Sequence, residues 1–189
     1  NSAKSTLDLA FFDIGDPDAT KAFINAHKRG IKVRVVTDTD NTKDSVNPLL
    51  TRKTILDLRA AGITVIEDKR SSFMHHKFMI IDNNTIWTGS TNPTPNSMYH
   101  HNNNAMMLQS SELAENYNMK FKRMFEQLEF GGPTPLAPNP IVNINGAEVR
   151  TYFSPKGGGK DAIVAALKTA KKSIKFMAFS YTHKEIADV

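Results

Sequence analysis

The sequence lacks cysteine altogether and has no long apolar run. With no cysteine among 189 residues, disulfide bonds, thiolate nucleophiles and cysteine-ligated zinc sites are excluded. No apolar stretch approaches the roughly 18 to 20 residues that a helix needs to span a bilayer, so no transmembrane segment is predicted. These absences do not identify a compartment, and a soluble bacterial protein, secreted or periplasmic, is one option that stays open.

What the sequence does contain is an ordinary share of apolar residues and an excess of positive charge. Hydrophobic residues make up 40% of the chain, and the formal net charge is +5. This apolar content is enough for one substantial core and does not indicate a disordered or fibrous protein. The positive balance favours polyanionic partners, either nucleic acid or an anionic membrane surface.

The first third of the chain alternates strand-like and helix-like segments. Three strands are predicted where β-branched and aromatic residues concentrate, at residues 5–12, 31–38 and 63–68. Two helices lie between them, at 18–28 with Asp18 as the N-cap and at 49–62 with Gly62 at its end. A β-α-β-α-β order at this spacing predicts crossover connections, and therefore an α/β sandwich with a largely parallel core sheet.

The segments after residue 70 predict three more strands, then a helix, and then further elements after a Pro/Gly-rich stretch. Asn83-Asn84 is a turn signal that predicts an antiparallel hairpin between strands at 73–82 and 85–90. A strand at 104–110 precedes an amphipathic helix at 111–130. After a Pro/Gly-rich stretch, the sequence predicts a strand around "VRTYFSP" (149–155), a helix at 161–172 and a strand at 173–181.

An internal repeat relates the beginning of the chain to its last part. The ten residues from Ala3, AKSTLDLAFF, align without a gap with the ten from Ala170, AKKSIKFMAF. On this alignment, the second repeat's counterpart of the polar residues near position 75 would lie beyond Val189. We therefore expect one catalytic repeat at 1–130, a linker at 131–148 and the beginning of a truncated second repeat at 149–189.

Polar side chains interrupt the first strand of the predicted hairpin. In the stretch MHHKFMIID, alternation puts His75, Lys77 and Met79 on one face of a pleated strand. An imidazole and an ammonium about 7 Å apart on one face suit a phosphate anion. The lysine neutralises phosphate oxygens while the histidine attacks phosphorus or donates a proton.

The end of the second hairpin strand adds hydrogen-bonding groups. Asn92 can donate to the same phosphate oxygens without adding charge. Gly89 permits close backbone approach, and Ser90 offers a hydroxyl to phosphate or to a neighbouring side chain. Together these groups can stabilise a phosphorane-like transition state without a metal.

These residues resemble the HKD motif of the phospholipase D superfamily. The spacing matches at all six specified positions: His75, Lys77, Asp82, Gly89, Ser90 and Asn92. The resemblance implies a phospholipase D-like α/β/α sandwich with a mixed, largely parallel sheet. It covers most of the chain, as one near-complete repeat plus the start of a second.

The resemblance also implies roles for the residues of the motif. His75 would be either the nucleophile that forms a phosphohistidine or the general acid that protonates the leaving group. Lys77 and Asn92 would bind the phosphate with Ser90 close by, and Asp82 would have a supporting, structural role. No metal or other cofactor is expected. The family builds one active site from two motifs, so a second motif is expected from a missing C-terminal repeat or from a homodimer partner.

One position departs from the pattern of nuclease-type members. Many of these carry a glutamate just before the strand after the motif, where it orients the catalytic histidine, and Asn103 occupies that place here. An amide can still accept a hydrogen bond from an imidazole N–H, but it does not stabilise an imidazolium as a carboxylate does. We therefore assign Asn103 to substrate binding.

Three functions remain open at this point. The favoured one is a nuclease-like, metal-independent phosphodiesterase acting on nucleic acid. The second is a phospholipase D or phosphatidyltransferase acting on lipid head groups, and the third is a catalytically silent module that binds nucleic acid. A zinc site built from His75, His76, His100 and His101 is disfavoured because no carboxylate or cysteine joins them at a ligand spacing.

Overall fold

A computed structural model describes residues 3–189, which divide into two compact units. The first unit contains the residues up to 131 together with 137–151, and the second contains 132–136 and 152–189. No helix within 3–189 is both long and apolar enough to cross a membrane.

The first unit is built on a six-stranded mixed sheet. In chain order the strands are β1 (Thr6–Phe11), β2 (Lys32–Thr37), β3 (Thr64–Glu67), β4 (Lys77–Ile81), β5 (Thr85–Gly89) and β6 (Ala105–Gln109). Their order in the sheet is β3-β2-β1-β4-β5-β6. The half formed by β1, β2 and β3 is parallel, whereas β4, β5 and β6 pair antiparallel. The predicted mixed α/β fold is confirmed.

Helices cover both faces of this sheet. They are α1 (Pro17–Lys28), α2 (Lys53–Ala60), the short α3 (Pro95–Tyr99) and α4 (Ser111–Phe125), with a 3₁₀ turn at Asp40–Thr42. On one face, Phe23 of α1 and Leu58 of α2 pack against strand residues such as Leu9. On the other, Phe121 of α4 packs with Phe78 and its neighbours. The result is the predicted three-layer α/β/α arrangement, with two separate apolar layers excluding water.

Several element boundaries differ from the sequence prediction, among them that of α2, which covers Lys53–Ala60 and not 49–62. Helix α1 is capped by Asp16, not Asp18, because the Asp16 carboxylate accepts from the Ala19 N–H at 2.7 Å and Pro17 opens the helix. Helix α4 ends at Phe125, five residues before the predicted end. Strand β4 begins only at Lys77, so His75 lies in an extended segment before the strand and not within it.

The last part of the chain differs more. The segment predicted as a linker contains a hairpin of β7 (Val142–Ile144) and β8 (Ala147–Val149), joined by Asn145-Gly146 with both φ values positive. Helices α5 (Gly159–Lys168) and α6 (Lys184–Ala187) follow. Residues 173–181 form no strand, and Phe176 and Phe179 are exposed. Their apolar pattern is strand-like, but a strand is stable only when another strand pairs with it.

Candidate active site

Three segments meet at one end of the sheet: the end of β1, the start of β4 and the loop after β5. Antiparallel pairing places Phe11 opposite Lys77, and the Phe12 N–H continues the ladder by donating to the His76 carbonyl at 2.9 Å. The topology therefore holds His75 and Lys77 against the residues that leave β1.

The loop after β5 is fastened to the loop after β1. The Pro93 carbonyl accepts from the N–H groups of Gly15 and Asp16, both at 2.9 Å. The Asp13 N–H donates to the Asn92 side-chain oxygen at 3.4 Å. Since that oxygen already faces a donor, the NH₂ group of Asn92 is the part that can donate to an anion.

Lys77 is held between the backbone and an aromatic ring. Its Nζ donates to the His75 carbonyl at 2.9 Å and lies 5.0 Å from the centre of the Phe12 ring. Burial lowers the pKa of Lys77 to about 8, and the negative charge of Asp13 opposes that shift. The side chain is thus a positioned cation near neutral pH, with a pKa low enough to titrate in the mildly alkaline range.

His75 is exposed and rests against two aromatic rings. Its ring lies 4.7 Å from that of Phe12 and 6.4 Å from that of Phe73, centroid to centroid. Burial lowers the pKa of His75, the Lys77 charge lowers it further, and Asp38 acts in the opposite direction. The neutral imidazole, the form with a free lone pair for nucleophilic attack, is therefore favoured.

Ser90 and Asn103 belong to one hydrogen-bond network. The Ser90 hydroxyl donates to the Asn103 side-chain oxygen at 2.9 Å, and the Asn103 NH₂ donates to Ser97, to its hydroxyl at 2.8 Å and its carbonyl at 3.0 Å. The Ser97 hydroxyl in turn accepts from the Asn92 N–H at 2.9 Å. Within residues 3–189, both polar ends of Asn103 are thus directed at serines, of which Ser97 contacts Asn92, and none of the hydrogen bonds of Asn103 reaches His75.

Gly89 is required by the approach of two strands. A Cβ at this position would lie 2.2 Å from the Asn104 carbonyl oxygen and 2.7 Å from the Ala105 Cα. These are backbone atoms at the start of the neighbouring strand β6, so no side chain fits at position 89 without separating β5 from β6. The close approach that the sequence predicts at Gly89 is therefore an approach to β6.

Asp82 lies at the far end of β4 from the other motif residues. Its carboxylate accepts from the N–H groups of Lys4, Ser5 and Thr6 at 2.7–3.0 Å and from the Ser5 hydroxyl at 2.9 Å. Desolvation alone would raise the pKa of Asp82, but these hydrogen bonds lower it to about 2. His76 and the five residues of β4 separate it from His75, roughly 23 Å of chain if extended, which agrees with a supporting role.

Comparison with known proteins assigns the chain to a family. The profile described as "Cardiolipin synthase, PLD-like domain" matches residues 1–125. The chain belongs to the phospholipase D-like family.

The relatives of this phospholipase D-like chain carry different names. It is 35% identical over 126 residues to a mitochondrial cardiolipin hydrolase of Homo sapiens, a match that covers 67% of this chain and 48% of that protein. It is 32% identical over 117 residues to a phospholipase D of Rickettsia conorii, covering 62% and 56%. The chain spans about half the length of the curated relatives it matches.

A solved structure agrees with the observed fold. The phospholipase D family member Nuc from Salmonella typhimurium superimposes with a TM-score of 0.59 at 28% identity, over 67% of this chain and 81% of that one. The likeness covers a share of the chain comparable to the first unit, which holds the six-stranded sheet and all the motif residues.

The other histidines of this phospholipase D-like chain lie elsewhere. His76 faces the α4 side of the sheet with its ring 5.6 Å from that of Phe78. Burial, with the charges of Lys120 and Lys77, lowers its pKa to about 3. His100 and His101 are exposed after α3. Among residues 3–189, no three His, Asp or Glu side chains are grouped so that they could hold a metal ion.

Sequence reasoning missed four residues of the site. Asp13 and Arg52 form an ion pair beside Lys77, and Phe12 and Phe73 carry the rings that contact His75. Asp13 directly follows the strand predicted at residues 5–12. A polar residue at the end of a core strand was the signal that could have identified it. The partner of Asp13 and the position of Phe73 depend on loop conformations, for which the sequence pattern has no signal.

Proposed function

We propose that this chain is a phosphodiesterase that acts through a covalent phosphohistidine on His75, with nucleic acid as its favoured substrate. The observation that supports the proposal most directly is that three complementary side chains lie at the same end of the sheet. They are an imidazole favoured in its neutral form, the Lys77 ammonium 2.9 Å from the His75 carbonyl, and the side-chain amide of Asn92, whose oxygen accepts from the Asp13 N–H.

The chemistry proceeds in two displacements. An imidazole nitrogen of His75 attacks phosphorus, a P–N bond forms, and the P–O bond to the leaving alcohol breaks as that oxygen takes up a proton. Water then attacks the phosphohistidine, giving its proton to a base while the P–N bond breaks and the monoester leaves. Lys77 and Asn92 stabilise the charge on the non-bridging oxygens in both steps.

A second motif would supply the proton to the leaving group. We propose that residues 1–130 are the catalytic repeat and that 149–189 begin a second repeat after the 131–148 segment. The second histidine then comes either from the continuation of that repeat or from another copy of this chain. Ser90 positions the side chain of Asn103, and Asn103 in turn positions Ser97. The Ser97 hydroxyl then holds the backbone N–H of Asn92.

Charge supports nucleic acid as the substrate. The chain carries a formal net charge of +5. Binding of a basic protein to nucleic acid releases counterions from the phosphates, and this release favours the complex. The loop that follows Asn92, PTPNSMYHHNNN, is mostly polar.

A phospholipid head group is the second candidate substrate. Relatives named cardiolipin hydrolase and phospholipase D favour it. Met98 and Tyr99, which lie on the short helix α3 within this segment and are 43% and 63% exposed, offer some apolar contact.

The test is turnover in EDTA of single-stranded DNA, of cardiolipin vesicles and of bis-(p-nitrophenyl) phosphate. His75→Ala is the variant, and His100→Ala, an exposed histidine nearby in the chain, is the control. Turnover that persists in EDTA and in His100→Ala but is lost in His75→Ala supports the proposal, and the preferred substrate separates the two candidates. Salt-sensitive DNA binding by wild-type protein without cleavage of any substrate would instead indicate a silent binding module.

A further inference from the structure

One exposed aromatic side chain stands directly beside the candidate nucleophile. Phe73 is 66% exposed, and its ring lies 6.4 Å from the His75 ring at 36°. The ring of Phe12 supports it edge-on at a centroid distance of 5.3 Å. A single exposed phenylalanine is unremarkable by itself, but this one belongs to a three-ring cluster that includes the reacting imidazole.

The segment that carries Phe73 is fixed at both ends. The Lys69 N–H donates to the Thr39 hydroxyl at 2.7 Å, and the Met74 N–H donates to the Asp38 carboxylate at 3.0 Å. The Met74 side chain, next to Phe73, is only 4% exposed. The ring is therefore presented to solvent on a short, anchored segment, and little conformational entropy is lost when a ligand covers it.

The chemistry around the ring suits a nucleobase. The Lys77 ammonium lies 5.0 Å from the centre of the Phe12 ring, which itself contacts Phe73. Two further basic residues, Lys69 and Arg70, lie close to Phe73 in the chain, and the Arg70 guanidinium lies beside Gly131. Single-stranded nucleic acid is bound by this combination of cations for the backbone and an aromatic face for the base. A membrane-inserting rim would instead need several adjacent apolar side chains, and Phe73 is preceded by two serines.

We propose that Phe73 is a base-stacking subsite that binds the nucleobase next to the scissile phosphate of a single-stranded nucleic acid. The inference rests on the proposed function, because it takes the phosphate to lie against His75 and Lys77. A phosphodiester in a nucleic acid has a nucleoside on each side, so a base that unstacks from its neighbours can reach the ring adjacent to the imidazole. The subsite is tolerant of sequence because every base has a π-face.

The experiment measures binding and not cleavage, so that it does not depend on turnover. Fluorescence anisotropy in a His75→Ala background compares a fluorescein-labelled single-stranded oligonucleotide with one of equal length made of abasic sites. The added variants are Phe73→Ala, Phe73→Trp and, as the control, Leu56→Ala, an apolar side chain of α2 that is 50% exposed. Circular dichroism checks that each variant is folded.

The expected result is a loss that depends on the bases. Phe73→Ala weakens binding of the normal oligonucleotide by roughly 5- to 150-fold, the range for stacking of one base, and leaves the abasic oligonucleotide unchanged. Phe73→Trp retains or improves binding, and Leu56→Ala changes neither. Equal losses on both oligonucleotides, or no loss on either, would overturn the base subsite. Cleavage by the chain with His75 intact, measured separately, would leave the phosphodiesterase proposal standing whichever binding result is found.

Discussion

At the scale of single residues, the site is organised around one titrating cation. Lys77 has a pKa of about 8 because it is partly buried, and Asp13 keeps that pKa from falling further. Asp13 is itself paired with Arg52, which limits how much of its charge Lys77 experiences. The charge on Lys77 therefore depends on two residues outside the HKD pattern.

This arrangement predicts a pH dependence that two substitutions shift in a defined way. Activity should fall as pH rises through about 8, because Lys77 loses its proton there. Asp13→Asn removes the charge that raises the Lys77 pKa, so the decline should move to lower pH. Lys77→Arg keeps its charge to above pH 12, so the decline should disappear even if the maximal rate is reduced. The measurement is kcat/KM against pH with bis-(p-nitrophenyl) phosphate, and an unshifted alkaline limb in Asp13→Asn would refute the coupling.

The sequence pattern carries information about residues placed by strand pairing, and it carries little about residues placed by loops. The structure places Lys77 at the start of β4, His75 just before that strand and Asn92 just after β5, and the pairing of β1 with β4 and of β4 with β5 brings these positions to one end of the sheet. Arg52 and Phe73 approach the site from connections whose paths depend on tertiary hydrogen bonds. Their type and position carry no periodic signal, and so pattern reasoning could not place them.

At the scale of elements, Asp82 joins the end of β4 to the entry of β1. Its carboxylate accepts four hydrogen bonds from residues 4–6, and it has a positive φ of 52°. Asparagine adopts this backbone conformation readily, but it has no charge and turns an NH₂ group towards one of the donors. Asp82→Asn therefore tests the hydrogen bonds without adding backbone strain.

We expect Asp82→Asn to lower the free energy of unfolding by about 1 kcal/mol at pH 7 with kcat nearly unchanged. Because folding lowers the pKa of Asp82, its stabilising contribution is full above its ordinary value of 3.8 and is lost as pH falls to about 2. The difference between wild type and variant should therefore shrink in that range. Urea unfolding measures it, with Asp57→Asn, an exposed i,i+4 pair with Lys53, as the control. A large loss of kcat at unchanged stability would contradict the structural role.

The elements most easily predicted were those whose pairing is completed within the first unit. Strands β1 to β6 have the alternation or apolar runs expected from their burial, and each has a neighbour to pair with. Residues 173–181 have an equally strand-like pattern, yet they form no strand. Local preference for β structure is weak without a partner strand. The alignment of this segment with residues 3–12 shows a similar sequence but supplies no strand for it to pair with.

At the scale of the whole molecule, this unpaired segment should be the most sensitive part of the chain to protease. Lys171, Lys172 and Lys175 are exposed after α5 and lie outside helix and strand. Limited trypsin digestion should therefore cut here before it cuts within the β1–β6 sheet, leaving a resistant N-terminal fragment. Mass spectrometry identifies the first cleavage sites. Protection of these three lysines would show that 173–181 is paired with another strand, either in a second copy or within the chain.

The central claim is that His75 forms a bond to phosphorus, and it is tested most directly by trapping that bond. p-Nitrophenolate leaves without needing protonation, so bis-(p-nitrophenyl) phosphate can react with His75 even when no second motif supplies a proton. The measurement is tandem mass spectrometry of protein quenched after a brief reaction in EDTA. Nucleophilic attack by His75 predicts an acid-labile p-nitrophenylphosphoryl group on His75, which forms as about one equivalent of p-nitrophenol is released and is absent from His75→Ala. Turnover without any adduct, or an adduct on another residue, would contradict it.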